Sequence, residues 1–227
     1  MYICTKFLGM VTFSEENYLK AIYHLGKHGS TSVSTNAIAK KMETKASSVT
    51  DMLKKLAEKD LVDYIKYQGV SLTKTGKLTA TNVIRKHRLW EVFLVDKLNF
   101  SWDEVHEIAE QLEHIKSEKL TNELDAFLDY PTHDPHGDPI PDKEGNIKTT
   151  NKILLAQMSI GKSCLCVGVK DSSTEFLKYL DKHKIALGTS LKVISKEAFD
   201  NSITLGIKDN EITVSHVIAN NLYVKQQ

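Results

Sequence analysis

The sequence predicts a mainly α-helical protein with added β structure: an N-terminal winged helix-turn-helix, a helical middle segment and a small C-terminal β-barrel. Three observations carry this. Helical periodicity fills the first half, strand-like alternation replaces it in the last third, and formal charge changes sign along the chain. Residues 1 to 88 hold 15 Lys+Arg against 7 Asp+Glu, giving +8; residues 89 to 150 hold 5 against 15, giving −10. Residues 151 to 227 hold 10 against 7, giving +3. A basic first segment suits a polyanion and an acidic second one suits cations.

The first helix is expected over "SEENYLKAIYHLGKHG", with Ser14 as its N-cap, acids in the first turn and glycines as its stop. "STNAIAKKME" and "KASSVTDMLKKLAEKDLV" follow as two helices around a short polar turn at Glu43–Lys45. The second of these buries Val49, Met52, Leu53 and Leu56. "VDYIKYQGVSLTKTGK" then alternates and turns at Gln68-Gly69, which predicts a β-hairpin. Three helices and a hairpin make a winged helix-turn-helix, whose third helix enters the DNA major groove N-terminus first. Lys45, Ser47, Ser48, Thr50 and Asp51 are therefore the expected groove contacts, with Lys54, Lys55 and the wing's Lys66 nearer phosphates. A winged helix that binds protein instead is the competing reading.

The helix "RKHRLWEVFLVDKL" places His87 and Glu91 one turn apart. In "HEIAEQLEHI", His106, Glu110, Glu113 and His114 fall on one side of an expected helix, beside its apolar stripe. Unpaired charge there is costly, so something must compensate it. Three imidazoles and three carboxylates without thiolate suit Mn²⁺, Fe²⁺, Co²⁺ or Zn²⁺. The competing readings are a structural polar network in a metal-independent regulator and a helical-bundle metalloenzyme. The enzyme would repeat Glu-x-x-His on two helices, and this chain lacks that repeat, so no catalytic residue is expected.

"THDPHGDPIPDKEGNI" has linker composition. Beyond it "CLCVGV", "SLKVIS", "ITLGI" and "ITVSHVI" alternate as short strands around "TEFLKYLDKHKI", which predicts the barrel. Domains are expected at 1–76, 77–150 and 151–227. Hydrophobic content of 41% with 26% charged residues is ordinary for a soluble protein. No run approaches a membrane span, and "MYICTKFLGM" is too short an apolar opening for an export signal. Three cysteines without a framework suit the cytoplasm. Residues 1 to 9 are expected to be disordered.

The blocks "ENYLKAIYHL", "SSVTDMLKKL", "GVSLTKTGK", "RKHRLWEVFL", "EVHEIAEQLEHI" and "PHGDPIP", in this order, resemble the diphtheria-toxin-repressor family of metal-dependent transcriptional repressors, including its manganese transport regulator branch. The resemblance implies a homodimer that grips palindromic operator DNA when metal is bound, and an SH3-like C-terminal domain. It implies a main regulatory site of Asn17, Glu110, Glu113 and His114. It implies an ancillary site of His87, Glu91 and His106, completed by Asp171 and Glu175 or by Asp134 and His136 of the "PHG" loop. Position 17 is Asn where the manganese branch has Asp and the iron branch Met. Lys20 stands where short manganese regulators have an acid, and Glu110 stands where the iron branch has Cys. The hard Glu110 oxygen favours Mn²⁺ as the cofactor, with Fe²⁺ as the alternative.

Overall fold

The computed structural model describes residues 11–148, 151–208 and 210–227. The expected disorder of residues 1 to 9 and the cysteine Cys4 lie outside them. The chain divides into two compact units. The first runs to His87 and adds Glu113–Lys116 and Pro141–Asn146; the second holds Arg88–Leu112, Ser117–Ile140 and Ile147–Gln227.

In the first unit, α1 (Phe13–Leu25) is capped by Thr12 rather than by Ser14. The Thr12 hydroxyl accepts from the Glu15 N–H at 3.3 Å while the Glu15 carboxylate accepts from the Thr12 N–H at 2.8 Å. Thr12 and Glu15 form the reciprocal capping box, so the helix begins one residue before the expected cap. Helix α2 (Thr35–Lys41) starts from Ser34 and α3 (Ala46–Glu58) from Lys45. Val49, Leu53 and Leu56 are fully buried, the stripe anticipated for α3, while Met52 is half-buried. Strands β1 (Val62–Ile65) and β2 (Gly69–Leu72) form the antiparallel wing. Helix α4 (Lys74–Leu98) is 25 residues long, eleven residues earlier in its start than "RKHRLWEVFLVDKL" suggested. Its first turn closes on the wing because Gly76 is small: a Cβ there would lie 1.8 Å from the Leu61 carbonyl oxygen.

In the second unit, the end of α4 is followed by α5 (Val105–Leu112) and α6 (Glu118–Phe127). Helix α5 stops at Leu112, so Glu113 and His114 lie in the turn beyond it and not on the helix face expected for them. Then come β3 (Ile153–Leu154), β4 (Ser163–Val169), α7 (Thr174–Lys182), β5 (Ser190–Lys196), β6 (Ile203–Ile207), β7 (Asn210–Val214), α8 (His216–Ala219) and β8 (Leu222–Gln226). The strands form one antiparallel sheet in the order β3-β8-β4-β5-β6-β7. Cys164 and Cys166, two apart on β4, both point into its core. Trp102, from the segment between α4 and α5, packs into the same core.

Strand β4 is bulged between Cys166 and Gly168, and the 134–138 loop is stitched onto the bulge. The Val169 N–H donates to the His136 carbonyl at 2.9 Å. Gly137 (φ 81°) fits there only because it lacks a Cβ, which would stand 2.1 Å from the Val167 carbonyl oxygen. Gly161 has the same φ with nothing within 4 Å of its Cβ position. Gly161→Ala should therefore cost only left-handed strain, about 1 kcal/mol. Gly137→Ala adds a backbone collision and should lower the melting temperature by at least twice as much. Equal losses in a calorimetric comparison of the two variants would show that the loop is not seated on β4.

Candidate metal centre and nucleic-acid face

Glu91 of α4 and Asp134 and His136 of the loop offer one ligand atom each within 4.8 Å of one another, and all three are buried. The loop is folded by Asp134 itself: its Oδ1 accepts from the N–H groups of His136 and Asp138, both at 2.9 Å. Its Oδ2 is 3.3 Å from Arg88 Nε, and Arg88 also approaches Asp138 at 3.5 Å. The His136 ring stacks parallel to Trp102 at 6.3 Å. Its Nε2–H donates to the Trp102 carbonyl at 2.8 Å. That bond presents Nδ1 to Glu91, whose Oε1 is 3.7 Å away.

Two carboxylates buried together need positive charge. Burial raises the Asp134 carboxyl to about 7, the nearby Glu91 adds to the rise and Arg88 opposes it. For His136 burial acts downward, but the hydrogen bond and charge of Glu91, then Asp134, raise it to about 9. A proton on His136 thus neutralises part of the cluster. The donors fit a first-row divalent ion: an imidazole whose second nitrogen is held by a backbone carbonyl, and two carboxylates. The two buried cysteines do not compete for it, since burial raises both thiols to about 11 within the barrel core.

His106, also expected beside Glu91, reaches it. His106 is exposed, with Nδ1 3.6 Å from Glu91 and Nε2 3.8 Å from Glu110. His87 precedes Glu91 by one turn of α4. Asp171 and Glu175 are exposed and are not brought into the Glu91 group; the Asp171 carboxylate accepts from the Ser173 N–H at 2.8 Å, ahead of α7. In the first unit, Asn17 is half-buried on α1 and Glu113 is fully buried. Glu113 accepts from Lys20 Nζ at 2.7 and 3.0 Å and from His87 Nδ1–H at 2.7 Å. Burial acts to raise its carboxyl, but the His87 hydrogen bond and the Lys20 charge outweigh this and hold it below the usual range. Sequence reasoning missed Trp102, Arg88 and Glu16. The first acts through its main chain, and the other two resembled ordinary surface charges.

Lys45, Ser47, Ser48, Asp51 and Lys54 are exposed at and after the start of α3, and Lys66 is exposed at the wing tip. Thr50 is half-buried and its hydroxyl donates to the Ala46 carbonyl at 2.9 Å. Lys54 and Asp51 form an exposed ion pair at 3.4 Å. Among the described residues, no helix is long and apolar enough to cross a membrane.

Three family profiles match successive segments: "Iron dependent repressor, N-terminal DNA binding domain" over residues 10–70, "Iron dependent repressor, metal binding and dimerisation domain" over 73–142, and "FeoA domain" over 153–226. The iron-dependent repressor IdeR of Mycobacterium leprae is 36% identical over 126 residues, 56% of this chain. The chain spans about half the length of that relative, 54%. The diphtheria toxin repressor of Corynebacterium diphtheriae is 25% identical over 222 residues, 93% of this chain and 96% of that protein. A solved manganese-dependent transcriptional repressor in complex with manganese is 33% identical, covering 94% of this chain and all of that one, with a TM-score of 0.80. The manganese regulator SloR is 36% identical over 94% of this chain and 98% of that one, at a TM-score of 0.70. With every segment matched and such a relative aligned over nearly the whole chain, the protein belongs to the diphtheria-toxin-repressor family of metal-dependent transcriptional repressors.

Proposed function

We propose that the chain is a cytoplasmic, homodimeric repressor that binds palindromic operator DNA when Mn²⁺ occupies the Glu91–Asp134–His136 centre. The buried acidic group with its pre-oriented imidazole carries this reading. Glu91, Asp134 through Oδ2 and His136 through Nδ1 are the ligands, with His106, whose Nδ1 is 3.6 Å from Glu91, as a further donor. A bound ion supplies the charge that two buried carboxylates require. Oxygen and imidazole donors without thiolate favour Mn²⁺. Fe²⁺ is the second reading, favoured by the number of imidazoles near Glu91 and by the iron-dependent relatives. The family is one of repressors rather than enzymes.

Leu98, Phe127 and Tyr130 of the second unit are exposed, Phe127 at 64%. Exposed large apolar side chains in a segment matched by a dimerisation-domain profile suit self-association. A two-fold dimer sets its recognition helices on half-sites one DNA turn apart, roughly 34–36 Å. Lys45, Ser47, Ser48, Thr50 and Asp51 face base edges, and Lys54 and Lys66 face phosphates.

Three outcomes test this. In gel shifts at fixed salt, Mn²⁺ should tighten operator binding and EDTA should abolish it; Glu91→Gln or His136→Ala should weaken Mn²⁺ activation by more than about 100-fold. Equal operator affinity with chelator and with Mn²⁺ would sink the reading, and a response to Fe²⁺ alone under anaerobic conditions would replace manganese by iron. Because His136 titrates near about 9, it is protonated at neutral pH and its proton must leave when an ion binds. Above about 7, where Asp134 has lost its own proton, apparent Mn²⁺ affinity should therefore rise about tenfold per pH unit toward the His136 value; a flat profile there would remove His136 from the ligand set. Lys66→Ala should weaken binding to all DNA sequences alike and reduce the slope of log K against log salt by about 1. A sequence-selective loss would instead make the wing a base reader.

A further inference from the structure

The turn after α5 and the first helix are fastened together within the first unit by groups that need no metal. Lys20 Nζ spans both Glu113 oxygens, at 3.0 and 2.7 Å, and His87 Nδ1–H donates to one of them. His114 Nδ1–H donates to Glu16 at 2.6 Å, and its ring stacks on Phe13 at 4.8 Å. Lys116 donates to the Val11 carbonyl. This is the neighbourhood that the family resemblance assigns to a regulatory ion, through Asn17, Glu110, Glu113 and His114. Here Asn17 brings no charge, the His114 Nδ1 is taken by Glu16 with Nε2 3.7 Å from Glu113, and that fully buried carboxylate already holds an ammonium in a forked contact.

A divalent ion on Glu113 would have to share that carboxylate with Lys20, with the Lys86 amine nearby. Burial lowers the Lys86 amine, and Glu16 and Glu113 pull it back up. Like charges crowded onto one buried acid repel strongly because the surroundings screen them poorly. The residues present therefore do not fit a metal.

We propose that Lys20 is a resident cation standing in for the metal at Glu113, so that α1 is clamped to the 113–116 turn whether or not metal is present. The chain then carries one regulatory ion per protomer, at Glu91–Asp134–His136; this last clause rests on the function proposed above. Lys20 acts as a positioning residue, and its ammonium does what an ion would do at that carboxylate.

The test is Mn²⁺ stoichiometry by equilibrium dialysis, with melting temperature measured in EDTA, on the full chain. Wild type should bind one ion per chain, and the Glu91→Gln/His136→Ala double variant should bind none. Adding Lys20→Met to that double variant should lower its melting temperature in EDTA by more than about 5 °C, since a buried carboxylate loses its partner. Mn²⁺ should then bind at Glu113 and restore the loss. Lys20→Arg, which keeps the charge, should leave both the zero stoichiometry and the melting temperature in place. The inference is overturned if the double variant with Lys20 intact still binds an ion that Glu113→Gln removes. It is equally overturned if Lys20→Met changes neither quantity. Failure of the Glu91-centred reading would appear separately, as equal stoichiometry in wild type and the double variant.

Discussion

Burying a carboxylate is costly unless positive charge or hydrogen-bond donors come with it, and five are buried among the described residues: Glu15, Glu16, Glu91, Glu113 and Asp134. Each has a different solution. Glu15 takes Lys59 at 2.8 Å and closes the α1 cap; Glu16 takes His114; Glu113 takes Lys20 and His87. Asp134 takes Arg88 and two backbone N–H groups, while Glu91 faces His106 and His136 at 3.6 and 3.7 Å. Much of the local geometry follows from where these partners must stand. The loop carrying His136 is shaped by Asp134, and the turn after α5 is held by residues of α1.

Such pairs are poor sources of stability, because apolar replacements of the same shape often do as well. What they supply is discrimination between arrangements. A turn held by Lys20 on Glu113 and Glu16 on His114 has one register on α1, whereas an apolar contact could slip. In the second unit, the β4 bulge, Gly137 and the Trp102 carbonyl fix the His136 ring by backbone contacts. A side chain held this way is pre-organised, the condition that a small ion with directional preferences sets on any residue that is to hold it.

The architecture was legible because long segments keep one period: α3 shows its buried stripe at Val49, Leu53 and Leu56, and β4 alternates through Cys164 and Cys166. Boundaries were less so. Thr12 outcompetes Ser14 because only Thr12 has Glu15 three residues on, the reciprocal partner a capping box needs. Helix α5 ends at Leu112 although the helical period continues to Ile115; Glu113 is drawn to Lys20 and His87, contacts across 93 and 26 positions that no local pattern encodes. The metal candidates were legible as residue types from spacing, while their grouping around Glu91 came only from the family resemblance, which offered Asp134 and His136 beside Asp171 and Glu175 without choosing between them. Asp134 and His136 meet Glu91 through the seat on β4, whereas Asp171 and Glu175, equally acidic on paper, stay at the surface.

The two clusters differ most in their charge balance. Around Glu113 and Glu16 the chain itself supplies Lys20, His87 and His114 in direct contact, and Lys86 nearby. At Asp134 the cation in contact is Arg88, which is itself shared with Asp138. The balance there is met by a proton on His136, raised to about 9 for that reason. A proton is the kind of charge a divalent ion can displace, while an ammonium tethered by a covalent side chain is not. The two clusters therefore differ in whether the charge that balances their buried carboxylates is one that can leave.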